Sequence, residues 1–201
     1  MRADRETYTH GHAASVLRSH SVRTVANSAA HVAPFLRPGT DVLDVGCGPG
    51  TSTKYFASAD YLGVDMNPKY IADARERYRR EFVVADVTKY EAPPGQAYDF
   101  ILSNSFLHHV ETPDVRRILR HLATLLTPDG HLHLLDLVLP ARPSVGRLLA
   151  RLDRGDHARP LDEWRALVEE SFEPVHVEPY PLTGMGVALW NMVYIKARRR
   201  A

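Results

Sequence analysis

Three acids and one glycine turn are the residues whose types and spacing could do chemistry. Asp44 sits near the end of the apolar run Asp41 to Val45, which stops at Gly46-Cys47-Gly48-Pro49-Gly50. Asp65 closes a second run, Asp60 to Asp65, and Asp86 follows a third, Glu81 to Ala85. Read as strands of an open α/β sheet, these runs bring a carboxylate to three carboxyl ends, where such sheets bind ligands. Glycines let the backbone approach a ligand where any Cβ would clash. A helix over Thr51 to Ala59 would turn its unpaired N–H groups and positive dipole end to the same place. Asp65 lies about 20 residues beyond the turn, the offset at which a carboxylate reaches a ribose, and it can accept from both hydroxyls. Met66 places a soft thioether where an adenine face would lie. Asn67, before Pro68, is the better helix cap, which leaves Asp65 to a ligand.

A second chemical stretch is Ser103-Asn104-Ser105-Phe106-Leu107-His108-His109-Val110, after the strand Tyr98 to Leu102. Histidine titrates near working pH and suits a general base. Adjacent histidines point in different directions, so at most one of His108 and His109 faces a site, and His108 is the first candidate. Asp136, near the end of the apolar strand His131 to Leu139, is a second candidate base. His131 and His133 would share a strand face but lack a third ligand spaced with them, so no metal is expected.

These residues need elements to hold them. Helices are read over Pro68 to Arg80, Pro113 to Leu126 and Leu161 to Glu170, the second from apolar residues at three- and four-residue steps. Thr127-Pro128-Asp129-Gly130 reads as a turn. Ser171 to Glu178 and Leu189 to Arg198 read as closing strands joined by a Pro- and Gly-containing loop with Tyr180 and Met185. Residues 140–160, with Arg142, Arg147, Arg151 and Arg154, are the least regular part. Ala13 to Leu36 reads as one or two amphipathic helices.

The chain has 201 residues, which suits one domain. Its net charge of +1 gives no strong pull toward nucleic acid or an anionic surface. Cys47 is the single cysteine, which excludes a disulfide framework. No apolar run approaches the ~20 residues of a membrane span, and a cytoplasmic location is the expectation.

The turn spaces its glycines G-x-G-x-G, not G-x-G-x-x-G as in dinucleotide oxidoreductases. Leu43-Asp44-Val45-Gly46-Cys47-Gly48-Pro49-Gly50 resembles motif I of the class I S-adenosylmethionine-dependent methyltransferases. Asp86-Val87 resembles their motif II, and the Leu-His-His run resembles the small-molecule members. Asn/Asp-Pro-Pro-aromatic, usual in enzymes that methylate nucleobase amines, is absent. Tyr8 to His12 and Ser15 to His20 resemble the N-terminal segment of ubiquinone/menaquinone-biosynthesis-like methyltransferases, where a helix covers the site.

That resemblance implies an α/β, Rossmann-like three-layer sandwich. Its mostly parallel seven-stranded sheet runs 3-2-1-4-5-7-6 with the last strand antiparallel. One domain would divide into a lid (1–38), a cofactor-binding core (40–139) and a cap with closing strands (140–201). It implies S-adenosyl-L-methionine as cofactor and S-adenosyl-L-homocysteine as product. Asp44, Gly46, Cys47 and Gly48 would hold the methionine and ribose ends, and Asp65 the ribose. Met66, Asp86 and Val87 would surround adenine. Ser103 and Asn104 would approach the methionine amine or the sulfonium, with Tyr8 and Arg23 reaching in from the lid. The reaction would be in-line methyl transfer to a small-molecule O-, C- or N-nucleophile, with His108 or His109 as base where one is needed. Cyclisation or isomerisation on the same cofactor, and cofactor binding without catalysis, fit the same residues.

Overall fold

Five strands build the parallel part of the sheet. They are β1 (Asp41–Val45), β2 (Asp60–Asp65), β3 (Glu81–Val84), β4 (Tyr98–Asn104) and β5 (Leu126–Leu137). β1, β4 and the second half of β5 are buried on both faces, as parallel strands covered by helices must be. Two longer strands, β6 (Phe172–Gly184) and β7 (Val187–Arg199), complete it. The computed structural model describes residues 31–152, 156–184 and 187–200. The strand order is β3-β2-β1-β4-β5-β7-β6. β1 to β5 pair in parallel, and β7 runs antiparallel to both β5 and β6. Order reverses between β1 and β4, which opens the crevice where such sheets take ligands.

Helices α1 (Pro68–Arg77), α2 (Thr112–Leu125), α3 (Val145–Leu152) and α4 (Leu161–Glu169) cover the sheet. Val115, Leu119 and Leu122 of α2 and Trp164 and Leu167 of α4 pack on one face with Leu43, Ile101 and Leu134. Ile71 and Ala74 of α1 pack on the other with Phe56, Tyr61, Phe100 and Tyr194. Asn67 caps α1 as expected: its Oδ1 accepts from the N–H groups of Lys69 (3.0 Å) and Tyr70 (3.4 Å).

The structure corrects several boundaries. The helix expected over Thr51 to Ala59 is a single 3-10 turn, Thr53–Tyr55, because Gly50 leaves the glycine turn with φ +75° and only a short chain remains before β2. Thr127 to Gly130 is a bulge inside β5, since Leu126 already pairs with Tyr98 and His131 with Phe100. The loop expected after Glu178 is strand as far as Gly184. Pro179 and Pro181 misdirect the sequence reading: β6 is an edge strand, where a missing N–H can face away from the ladder. Of the expected lid, residues before His31 lie outside the described residues. Ala33–Phe35 forms a 3-10 turn whose Phe35 ring lies 5.4 Å from that of His133.

His133 is the sheet's most buried imidazole among those described. It stacks on Phe100 at 3.8 Å and 10°, and its Nδ1 meets the Tyr194 hydroxyl at 2.9 Å. Burial, helped by Lys196 and His131, holds it well below the usual histidine range. The folded protein therefore binds this proton less readily than the unfolded chain. Stability is fully present above about pH 6.5 and falls as pH drops below it, by up to about 2 kcal/mol at pH 5. His133→Phe should lower the midpoint at pH 7, because the Tyr194 hydroxyl loses its partner. It should also flatten the fall in Tm between pH 7 and 5. Parallel slopes for both proteins in thermal melts would refute this.

Candidate functional site

The glycine turn connects β1 to the Thr53–Tyr55 turn and packs against the end of β2. Gly46, Gly48 and Gly50 all have positive φ, at +66°, +54° and +75°. Gly46 also has no room for a Cβ, which would lie 2.3 Å from Cγ of Phe106. Gly48 differs: among the described residues a Cβ there meets nothing within 4 Å.

The turn's donors are committed to the protein. Gly46 N–H (2.8 Å) and Cys47 N–H (3.1 Å) both reach the Val64 carbonyl, and Gly50 N–H reaches Cys47 O at 3.1 Å. Gly48 N–H donates to Asp65 Oδ2 at 2.9 Å, and the other oxygen of Asp65 accepts from Asn67 N–H at 2.8 Å. A three-residue 3-10 turn stands in place of the expected helix, so no helix dipole of several turns points at this site.

The expected cofactor residues divide into two sets. Gly46, Gly48, Asp65 and Asn104 are half-buried around the carboxyl ends of β1, β2 and β4, and Met66 is exposed beside them. Asp86 lies two residues past β3. Its Oδ1 accepts from the N–H (2.9 Å) and hydroxyl (2.7 Å) of Thr88. Burial pushes its carboxyl up, but the Thr88 bonds and the Lys89 ammonium outweigh this and hold it below the usual value. The others face inward. Asp44 is buried behind the turn and accepts from the Tyr61 hydroxyl at 2.8 Å. The Cys47 thiol packs in the core beside Val42 and Phe82, and burial, then Asp44 and Asp65, push its pKa up. Val87 packs in the opposite cluster. Ser103 is fully buried, and its hydroxyl has no hydrogen-bond partner among the described residues. Tyr8 and Arg23 lie outside the described residues, as does Met185.

β4 ends at the crevice with Ser105 at φ +54°, the one described residue other than glycine in the left-handed region. The 3-10 turn Leu107–His109 follows. His108 is buried and its Nδ1 lies 2.5 Å from Oδ1 of Asp136, which is wholly buried. Asp136 also accepts from the N–H groups of Leu107 (2.9 Å) and Leu137 (2.7 Å). Asp136, read from sequence as a second base, is thus a partner of His108. His109 is half-buried, its ring 4.0 Å from that of His108.

Arg159 joins this cluster, and nothing in its sequence setting marks it out. Its guanidinium is buried, donates to the carbonyls of Leu107 (3.0 Å) and Val110 (2.5 Å), and lies 5.1 Å over the Trp164 ring. Burial lowers its pKa while Glu163 and Asp136 oppose that. The segment that carries it bridges to Val138, the residue after β5, and reaches His108 O through His157 N–H, so residues 156–160 hold the histidine turn.

Part of the chain is similar to known proteins. Residues 42–130 match the family model described as a methyltransferase domain. Trans-aconitate 2-methyltransferase of Escherichia coli is 38% identical over 94 residues, which are 44% of this chain and 36% of that protein. The chain thus spans about a third of the curated relative it matches. A solved S-adenosylmethionine-dependent methyltransferase from Methanosarcina mazei superposes with a TM-score of 0.71 at 19% identity, covering 85% of this chain and 98% of that one. The N-methyltransferase NodS of Bradyrhizobium japonicum, solved with S-adenosyl-L-homocysteine, superposes with a TM-score of 0.67 at 14% identity, over 93% and 98% of the two chains. The sheet is the Rossmann-like methyltransferase fold. No described helix is long and apolar enough to cross a membrane.

Proposed function

We propose that this chain is an S-adenosyl-L-methionine-dependent methyltransferase acting on a small molecule. One observation carries the reading: a glycine turn tied to the Asp65 carboxylate, with nothing among the described residues over Gly48 and its own donors already committed within the protein. A dinucleotide brings a pyrophosphate that needs orphan N–H groups and a helix dipole. S-adenosylmethionine carries no phosphate and has a cationic sulfonium, which a carboxylate-lined crevice suits. The S-adenosyl-L-homocysteine held by NodS supports the same reading.

The residues fit such a molecule. Asp65, at the end of β2 beside Gly48, would accept from the ribose hydroxyls. Met66, exposed beside the crevice, and Asp86, two residues past β3, are the residues that would flank adenine, while Val87 packs in the core. Asn104, half-buried at the end of β4, would stand nearest the methionine end. When bound, the donor supplies a methyl carbon on a good leaving group. The chain's part is to hold the acceptor atom ~3–3.5 Å from that carbon, in line, and to exclude water. Phe106, packed on Gly46 beside the β1–β4 crevice, is the wall against which an apolar or aromatic acceptor of the quinone-biosynthesis type would rest.

Thermal melts with S-adenosyl-L-homocysteine, and separately with NAD, test this. A ligand at a hundred times its Kd stabilises by ~2.7 kcal/mol. For a chain of this size the midpoint should rise by roughly 5–11 °C with S-adenosyl-L-homocysteine alone. A rise with NAD alone, or with neither, refutes the proposal.

A further inference from the structure

Helix α3 is inverted relative to an ordinary surface helix, which turns its large apolar residues toward the core. Its buried residues are its two smallest, Gly146 and Ala150. A Cβ on Gly146 would run into the Asn191 side chain, and Ala150 packs with Leu137 and Met192, so this face lies close against the start of β7. The large apolar residues point outward: Val145 is 51% exposed, Leu148 58% and Leu152 72%. They stand at i, i+3 and i+7, so they form one stripe along the outer face. Leaving such side chains in water is unfavourable, and a contiguous apolar stripe rimmed by charge marks an interaction surface.

The charges say what covers it. Residues 140–152 include Arg142, Arg147 and Arg151 and no acid. Arg147 and Arg151 lie one turn apart along one flank of the stripe, and Arg142 is exposed in the loop that leads into the helix. Arg147 also donates to the carbonyls of Pro140 and Ala141, which ties that loop to the helix. The whole chain carries only +1, so its overall charge conceals this local basic excess. A second copy is a poor occupant, because a two-fold interface would set these arginines against the same arginines. A bilayer containing anionic lipid offers both an apolar interior and a negative surface. The aliphatic stems of the arginines can lie along the apolar zone while their guanidinium groups stay among the headgroups.

We infer that α3 is a membrane-surface anchor, with Val145, Leu148 and Leu152 entering the headgroup–acyl boundary of an anionic bilayer and Arg142, Arg147 and Arg151 on its phosphates. Eight residues are far too few to span, so the helix lies in the interface. The anchor stands beyond the carboxyl end of β5, at the same end of the sheet as the crevice. This anchoring does not depend on the methyl-transfer reading.

Sedimentation of the full chain with lipid vesicles tests it. Vesicles of phosphatidylcholine mixed with phosphatidylglycerol should bind the protein, and pure phosphatidylcholine should bind it far more weakly. An arginine at an anionic surface contributes about 5-fold, so Arg142→Gln/Arg151→Gln should weaken binding about 25-fold. Added salt should weaken the wild type in the same direction. Leu148→Ser/Leu152→Ser should weaken binding by about 10-fold or more while the melting midpoint stays near that of wild type, since both side chains are exposed. Arg199→Gln/Arg200→Gln, at the far end of β7, should bind as the wild type does. Equal binding to both vesicles, wild-type binding by the leucine pair, or loss of binding in the Arg199 and Arg200 pair overturns the inference. Binding to neither vesicle also overturns it, and a dimer in ultracentrifugation that the leucine pair abolishes would then assign the stripe to a second copy.

Discussion

Gly48→Ala should leave the protein folded and abolish its affinity for S-adenosyl-L-homocysteine, whereas Gly46→Ala should damage the fold itself. The two glycines lie two residues apart with similar positive φ, so both substitutions carry the left-handed strain of an L-residue, roughly 1–2 kcal/mol. They differ in what the new methyl meets. At Gly48 it meets nothing within 4 Å among the described residues and projects to where the proposed ligand would lie. At Gly46 it meets Phe106 at 2.3 Å from Cγ, and the clash adds an overpacking cost of about 1–3 kcal/mol. At roughly 2–4 °C per kcal/mol, the Gly46 variant should melt some 4–20 °C below wild type and the Gly48 variant only 2–8 °C below. Melts with and without ligand separate the two effects. A Gly48 variant that keeps the full ligand-induced shift would mean the space over that residue is not the binding site.

Asp65→Ala should produce the second large loss, in affinity. The carboxylate fixes Gly48 N–H and Asn67 N–H, and in the proposed complex it also accepts from the ribose. Hydrogen bonds to a charged group contribute about 1.5–3 kcal/mol each. Losing the ribose bond alone should raise Kd between about 10-fold and 200-fold, and loosening of the turn adds to that. Asp65→Asn retains one acceptor oxygen and should fall between wild type and alanine. Calorimetric titration that returned the wild-type Kd for Asp65→Ala would break the ribose assignment.

The central sheet was legible because its strands are short apolar runs bounded by glycine, proline or acids. β1 and β2 begin and end where the sequence places them. What misled the reading was chemistry that depends on neighbours distant in sequence. Thr51 to Ala59 looks helical in isolation, but the exit of the glycine turn and the start of β2 leave space for one 3-10 turn. The prolines of β6 look like loop until the strand is known to be an edge. At the candidate site, spacing and motif pointed to Gly48, Asp65 and His108, which the structure brings to the carboxyl ends of β1, β2 and β4. Spacing could not show that Asp44 and the Cys47 thiol point inward, because that depends on which face of β1 the core occupies. Nor could it find Arg159. Its partners Leu107 and Val110 lie 52 and 49 residues earlier in the chain, and a lone arginine after His157 carries no local signal.

The strand order has a consequence for how the chain assembles. β7 follows β6 in sequence but lies between β5 and β6, pairing with both. β6 therefore has no neighbour in the sheet until β7 exists, although every residue of β6 is available earlier. Insertion of β7 closes the sheet in one event, joining His131–Leu137 to Met192–Arg198 across some sixty residues of intervening chain. Pairings so distant must overcome a large loop-closure entropy before any contact stabilises them. The half-formed state exposes the β5 edge, a template for pairing with other chains, until β7 arrives. The edge that is open longest during folding thus lies beside the β5 segment that carries Asp136.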